Sequence, residues 1–100
     1  MGEGEKRTGA LLVTYSIEIS SKARRSLKKI DKSSLAQIFG ALELLRNNPR
    51  PPLARQLKGT PYLRVRVGDY RIIYLIKKSA LVILVIDFGH RKEIYKSSES

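Results

Sequence analysis

The stretch that decides the fold is Tyr62-Leu63-Arg64-Val65-Arg66-Val67-Gly68-Asp69-Tyr70-Arg71-Ile72-Ile73-Tyr74. Alternation along residues 62–67 sends Leu63, Val65 and Val67 to one side of a strand and Tyr62, Arg64 and Arg66 to the other. Gly68-Asp69 separates this run from a second one, residues 70–76. Two residues between two such runs signal a tight hairpin, although the order is reversed from the favoured Asp-Gly. Arg71, early in the second run, can join Arg64 and Arg66 across that hairpin. Guanidinium groups on a sheet are costly unless something anionic meets them. A phosphate backbone is the natural candidate, because the planar Arg fork matches phosphate oxygens in a bidentate way.

Downstream, Lys77-Lys78-Ser79 makes a second turn, and residues 81–87 form an almost continuous apolar run suited to a strand buried on both faces. Upstream, Leu57-Lys58-Gly59-Thr60-Pro61 turns into the first run after an irregular stretch. Leu35, Ile38, Phe39, Leu42 and Leu45 recur at spacings of three and four, which predicts an amphipathic helix over residues 34–46. The run from Asn47 to Pro52 ends it. Asp31, Ser33 and Ser34 cap it and break a preceding helix over residues 22–30, whose Ala23, Leu27 and Ile30 share one face. Arg24, Arg25, Lys28 and Lys29 lie largely on the other face. Ser20 and Ser21 offer its N-cap, and Val13, Tyr15, Ile17 and Ile19 alternate as a half-buried strand.

The order is β-α-α-β-β-β. This is an α+β fold in which a helical hairpin covers one face of a three-stranded antiparallel meander and leaves the other face open. A single domain over residues 13–96 is expected, with a disordered leader at 1–12 and a tail at 97–100.

Composition narrows the function. The 100 residues hold 20 Lys+Arg and 9 Asp+Glu, a formal net charge of +11 that favours polyanionic partners. The basic residues divide evenly between the two halves of the chain, so the charge belongs to the folded body. No cysteine is present, which excludes a disulfide framework, a thiolate nucleophile and a Cys-based zinc site, and is consistent with a reducing cytoplasm. One histidine cannot build a His-rich metal cage. No apolar run approaches the roughly 18 residues of a membrane span.

The chain resembles the RelE/ParE toxin superfamily, and within it the RelE branch of ribosome-dependent mRNA endonucleases. The resemblance covers roughly residues 14–95. It rests on the element order, the Leu-Lys-Gly turn at 57–59, the Arg-Val-Gly-Asp-Tyr-Arg-Ile-Ile-Tyr run at 66–74 and the closing His-Arg-Lys-Glu-Ile-Tyr at 90–95. It implies a cytoplasmic toxin of a type II toxin–antitoxin system that cuts mRNA in the ribosomal A site. The 2′-hydroxyl would attack the adjacent phosphate, with no metal or other cofactor. Its partners would be the ribosome, mRNA and a RelB-like antitoxin, the last in a toxin–antitoxin heterotetramer. The catalytic positions it implies are Arg64, Arg66, Arg71, Arg91 and Tyr95.

One departure matters. The first two of these positions are lysines in the RelE pattern, one of them considered the general base. Arginine stays protonated near neutral pH, so Arg64 and Arg66 are assigned to phosphate binding and charge stabilisation. His90 is the one histidine, the side-chain type suited to proton transfer near neutral pH, and stands as a possible acid or base, against its plain reading as a surface or strand-end residue. Tyr70 and Tyr74 read as sheet packing, whereas Tyr95 would stack on or orient a nucleotide. Arg24, Arg25, Lys28, Lys29 and Lys58 are candidate RNA contacts, against the plain reading of a solvated helix face and a turn. Two alternatives stay open: a ParE-like toxin that poisons gyrase, and a non-catalytic RNA- or partner-binding member of the fold.

Overall fold

Ser20 starts the helical layer. Its hydroxyl accepts a hydrogen bond from Ala23 N at 3.1 Å, which caps helix α1 (Ser21–Leu27). The computed structural model describes residues 14–90. α1 ends three residues short of the expected Ile30. Lys28, Lys29 and Ile30 each donate to the carbonyl three residues back, the tightened turn that commonly closes a helix. Asp31 then caps helix α2 (Lys32–Asn47). Its carboxylate accepts from Ser34 N at 3.2 Å and Ser33 Oγ at 2.6 Å. These bonds, led by that from Ser33, favour the ionised form and hold its pKa down at about 2.

Of the apolar residues expected on one face of α2, Ile38, Leu42 and Leu45 are buried and Leu35 packs at the core margin. Phe39 is a correction to that set: it lies one position round from Ile38 and is about half exposed. The chain returns from α2 to the sheet through Arg46. Its Nε donates to Tyr15 O at 3.1 Å, and Tyr15 N donates back to Arg46 O at 2.9 Å.

Among the described residues the sheet has five strands: β1 (Ser16–Ile19), β2 (Arg55–Gln56), β3 (Leu63–Val67), β4 (Tyr70–Lys77) and β5 (Val82–His90). Their spatial order is β1-β5-β4-β3-β2. The three C-terminal strands form the expected antiparallel meander. Two further features complete it. β1 pairs parallel to β5, with Ser16 opposite Val82 and Ile19 opposite Val85. The two-residue β2 lies antiparallel on the far edge, inside the stretch expected to be irregular. The β4–β5 register slips between Ile73 and Tyr74, leaving Ile86 as an extra residue, a β-bulge. The Ser20 hydroxyl donates to Ile86 O at 2.9 Å, so one side chain caps α1 and also satisfies the bulge.

The core lies between helices and sheet. Ala23, Ile38 and Leu45 meet Leu63, Ile72, Tyr74, Ile83 and Val85 there. Tyr74 is fully buried, and its hydroxyl donates to Pro49 O at 2.6 Å. No helix among the described residues is long and apolar enough to cross a membrane. The segments at 1–12 and 97–100, expected to flank the domain, lie outside the described residues.

Candidate functional site

The hairpin between β3 and β4 turns on Gly68, whose φ is +60°. A glycine with positive φ at the first of two loop positions is what a II′ hairpin turn requires, which explains the Gly-Asp order. A Cβ here would also stand 2.8 Å from Gln37 Oε1 of α2. This turn fixes the register: Arg66 lies directly opposite Arg71, and Arg64 opposite Ile73. Residues directly opposite across a ladder share a face. Arg64, Arg66 and Arg71 therefore occupy one face, away from the buried Leu63, Val65, Ile72 and Tyr74.

A fourth arginine joins them. Arg55 on β2 pairs directly with Arg64. The face thus carries two consecutive cross-strand arginine pairs, Arg55/Arg64 and Arg66/Arg71. Like charges directly opposite repel across a ladder, so two such pairs in succession concentrate positive charge on this face. A cavity of about 250 Å³ opens beside them, lined by Leu53, Arg55, Arg64 and Arg66. Exposure grades across the set: Arg55 and Arg66 are exposed, Arg64 is half-buried, and Arg71 is only 6 % exposed. Arg71 sits next to Gly89 of β5, so its charge is held in a less hydrated place than the others. Such an array can bind an anion and stabilise charge developing on it. It offers no proton acceptor near neutral pH.

Arg55 was not singled out in the sequence because residues 53–56 carry no periodicity. The signal that could have found it is the turn at 57–61. Gly59 takes φ +76°, and Leu57 N donates to Tyr62 O at 2.9 Å. A tight turn there brings residues 55–56 back alongside β3.

His90 stands apart from the arginines of β2, β3 and β4. It is paired with Tyr70 across β4–β5, and Tyr70 is paired with Val67, which places all three on the helix-covered face. The His90 ring meets Tyr70 edge-on at 5.1 Å between centroids. It lines a 130 Å³ cavity with Ser26, Lys29, Ile30 and Phe88. The sheet thus separates it from the arginines, by the strand's two-residue alternation. Arg24, Arg25, Lys28 and Lys29 are exposed in the helical layer and are not brought to the arginine face. Lys58 is exposed in the turn between β2 and β3. Arg91 and Tyr95 lie outside the described residues. No group of three or more His, Asp or Glu side chains among the described residues could hold a metal ion.

Fold and site define a class: small α+β domains with a helical hairpin on one sheet face and a cationic array on the other. The family model described as "ParE toxin of type II toxin-antitoxin system" matches residues 17–95. Toxin RelG of Mycobacterium tuberculosis is 31% identical over 86 residues, which is 82% of this chain and 97% of that protein. A putative toxin RelE1 of Methanocaldococcus jannaschii is 28% identical over 87 residues, covering 83% of this chain and 97% of its own length. Among solved structures, the M. tuberculosis RelBE2 toxin–antitoxin complex contains a chain that superposes with a TM-score of 0.71 at 26% identity, covering 79% of this chain and all of that one. The archaeal RelE–RelB complex of Pyrococcus horikoshii gives 0.70 at 26%, covering 78% of this chain and 96% of that one. The chain belongs to the RelE/ParE superfamily of type II toxin–antitoxin toxins.

Proposed function

We propose that this toxin stops translation by cutting mRNA in the ribosomal A site. The observation that carries this reading is the succession of two arginine pairs on one sheet face. In the reaction, the ribose O2′ attacks the adjacent phosphorus and gives up its proton to solvent water. The P–O5′ bond breaks and O5′ takes a proton, leaving a 2′,3′-cyclic phosphate and a 5′-hydroxyl. Arg64, Arg66 and Arg71 bind the phosphate and stabilise the extra charge of the pentacoordinate intermediate. Arg91 and Tyr95 complete the set that the family pattern implies, and no metal enters this scheme. Because arginines do not take the O2′ proton, the reaction depends on the ribosome to align O2′ for in-line attack.

The partner that restrains the toxin is, on this reading, a RelB-type antitoxin, as in the solved complexes that the chain resembles. A groove of about 400 Å³ with Leu44, Leu53, Val65 and Val67 among its walls, on a protein of charge +11, suits an acidic amphipathic segment.

A second reading, gyrase poisoning, is favoured by the ParE description of the matching family model. Primer extension on mRNA-programmed ribosomes separates the two. The expected result is a cut within the A-site codon that Arg66→Ala slows by roughly 10²-fold, the scale of one lost transition-state contact. Intact mRNA at saturating protein, with gyrase-linked DNA breaks in a parallel assay, would transfer the assignment to the ParE branch.

A further inference from the structure

We propose that Arg55 is a phosphate-binding residue, and that with Arg64 it holds the RNA one nucleotide away from the phosphate engaged by Arg66 and Arg71. This rests on the RNA-cleaving reading above and assigns to that site a second phosphate position.

Three features of the structure support it. The first is register. Strands stand about 4.8 Å apart and alternate residues about 6.7 Å apart along a strand, so the array from Arg55 to Arg71 runs roughly 12 Å on the diagonal. Its two pairs are offset by one step of alternation along β3. The array therefore forms a track across three strands. The second is the state of the Arg55 side chain. Among the described residues its hydrogen bonds both use Nη1, to Pro52 O at 2.9 Å and Ala54 O at 3.0 Å. Neither bond uses Nε or Nη2, the fork that grips a phosphate in a bidentate way, and the residue is exposed. Pro51 and Pro52 stiffen the loop that supplies those carbonyls, so little freedom is lost when an anion binds. The third is the cavity at this end of the track. It is bounded by Arg55, Arg64 and Arg66, with the 72 % exposed Leu53 as its apolar wall. That combination fits a phosphate together with the sugar or base attached to it.

The test uses the full chain and its Arg55→Ala and Arg55→Lys variants on ribosomes programmed with mRNA. A 2′-O-methylated A-site codon keeps the RNA in place and blocks the attack, so binding is read without chemistry. An unmodified codon reports cleavage. Arg55→Ala is expected to raise Kd by on the order of 10-fold, the scale of one charged hydrogen bond. It should also flatten the log–log salt dependence by about 0.7, one phosphate contact on a single strand. Arg55→Lys should keep the wild-type slope. Wild-type binding and cleavage with an unchanged slope in Arg55→Ala would overturn this inference and leave the nuclease reading standing. Equal losses in both variants at wild-type slope would reduce Arg55 to a loop brace and overturn it as well. A wild-type chain that neither binds nor cuts would remove the nuclease reading and this inference with it.

Discussion

At His90 the two-residue alternation of a strand decides what chemistry is within reach. The ring shares a face with Tyr70 and the helices, while the arginines face the other way. His90→Ala should therefore leave the single-turnover cleavage rate nearly unchanged and keep every inflection of the pH–rate profile. General acid–base participation would instead cost about 10²–10⁴-fold, and a loss of that size would put His90 back in the mechanism. Tyr74 makes a different prediction. Burial pushes its phenol from 10.0 up to about 12, so the folded state favours the neutral form. A pKa raised in the folded state gives stability that is complete below pH 10 and disappears as pH rises towards 12. Tyr74→Phe removes the hydrogen bond to Pro49 O and should cost about 1 kcal/mol at neutral pH. The gap between variant and wild type should narrow from pH 10 to 12, and urea melts at a series of pH values would show it. A constant gap across that range would mean that the phenol does not titrate with unfolding.

Among the elements, the junction of β1, α1 and β5 depends most on a single side chain. Ser20 Oγ accepts from Ala23 N and donates to Ile86 O. Ser20→Ala loses an N-cap and leaves a bulge carbonyl without that donor, so it should cost roughly 1–3 kcal/mol. Ser20→Thr keeps the hydroxyl and should recover most of this in thermal melts; equal losses in both would point to packing instead. The elements also differ in how far they could be read from the chain. The β3–β4 hairpin was legible because alternation and turn chemistry agree over residues 62–74, and alternation alone puts Arg64 and Arg66 on one face. β2 was not, since two residues show no period and their pairing depends on the turn at Gly59. Arg55 was lost with it. The end of α1 at Leu27 was also hidden, because the periodicity of Ala23, Leu27 and Ile30 continues through the closing turn. The exposure of Phe39 depends on how far the sheet extends beneath α2, which spacing within the helix does not report.

For the molecule as a whole, charge and topology set behaviour. A body of net charge +11 with four arginines on one sheet face should lose affinity for ribosomes steeply as salt rises. Under the proposed function, cleavage of free RNA should be slow at physiological salt, since that scheme takes its alignment from the ribosome. Rapid cutting of naked RNA would contradict that dependence. The arginine track is built from two tight turns within residues 55–71, whereas the sheet closes only when Ser16 meets Val82, 66 residues later. Local hairpins form in microseconds, but a strand pairing of that sequence separation is late and slow. During its own synthesis the chain therefore passes through a stage with the arginines made and the scaffold unfinished. An isolated hairpin is marginal in water, so the track is not held in place until β5 has emerged through His90. The toxin is thereby unfinished until late in its own synthesis, an interval in which an antitoxin can meet a sheet that is not yet closed.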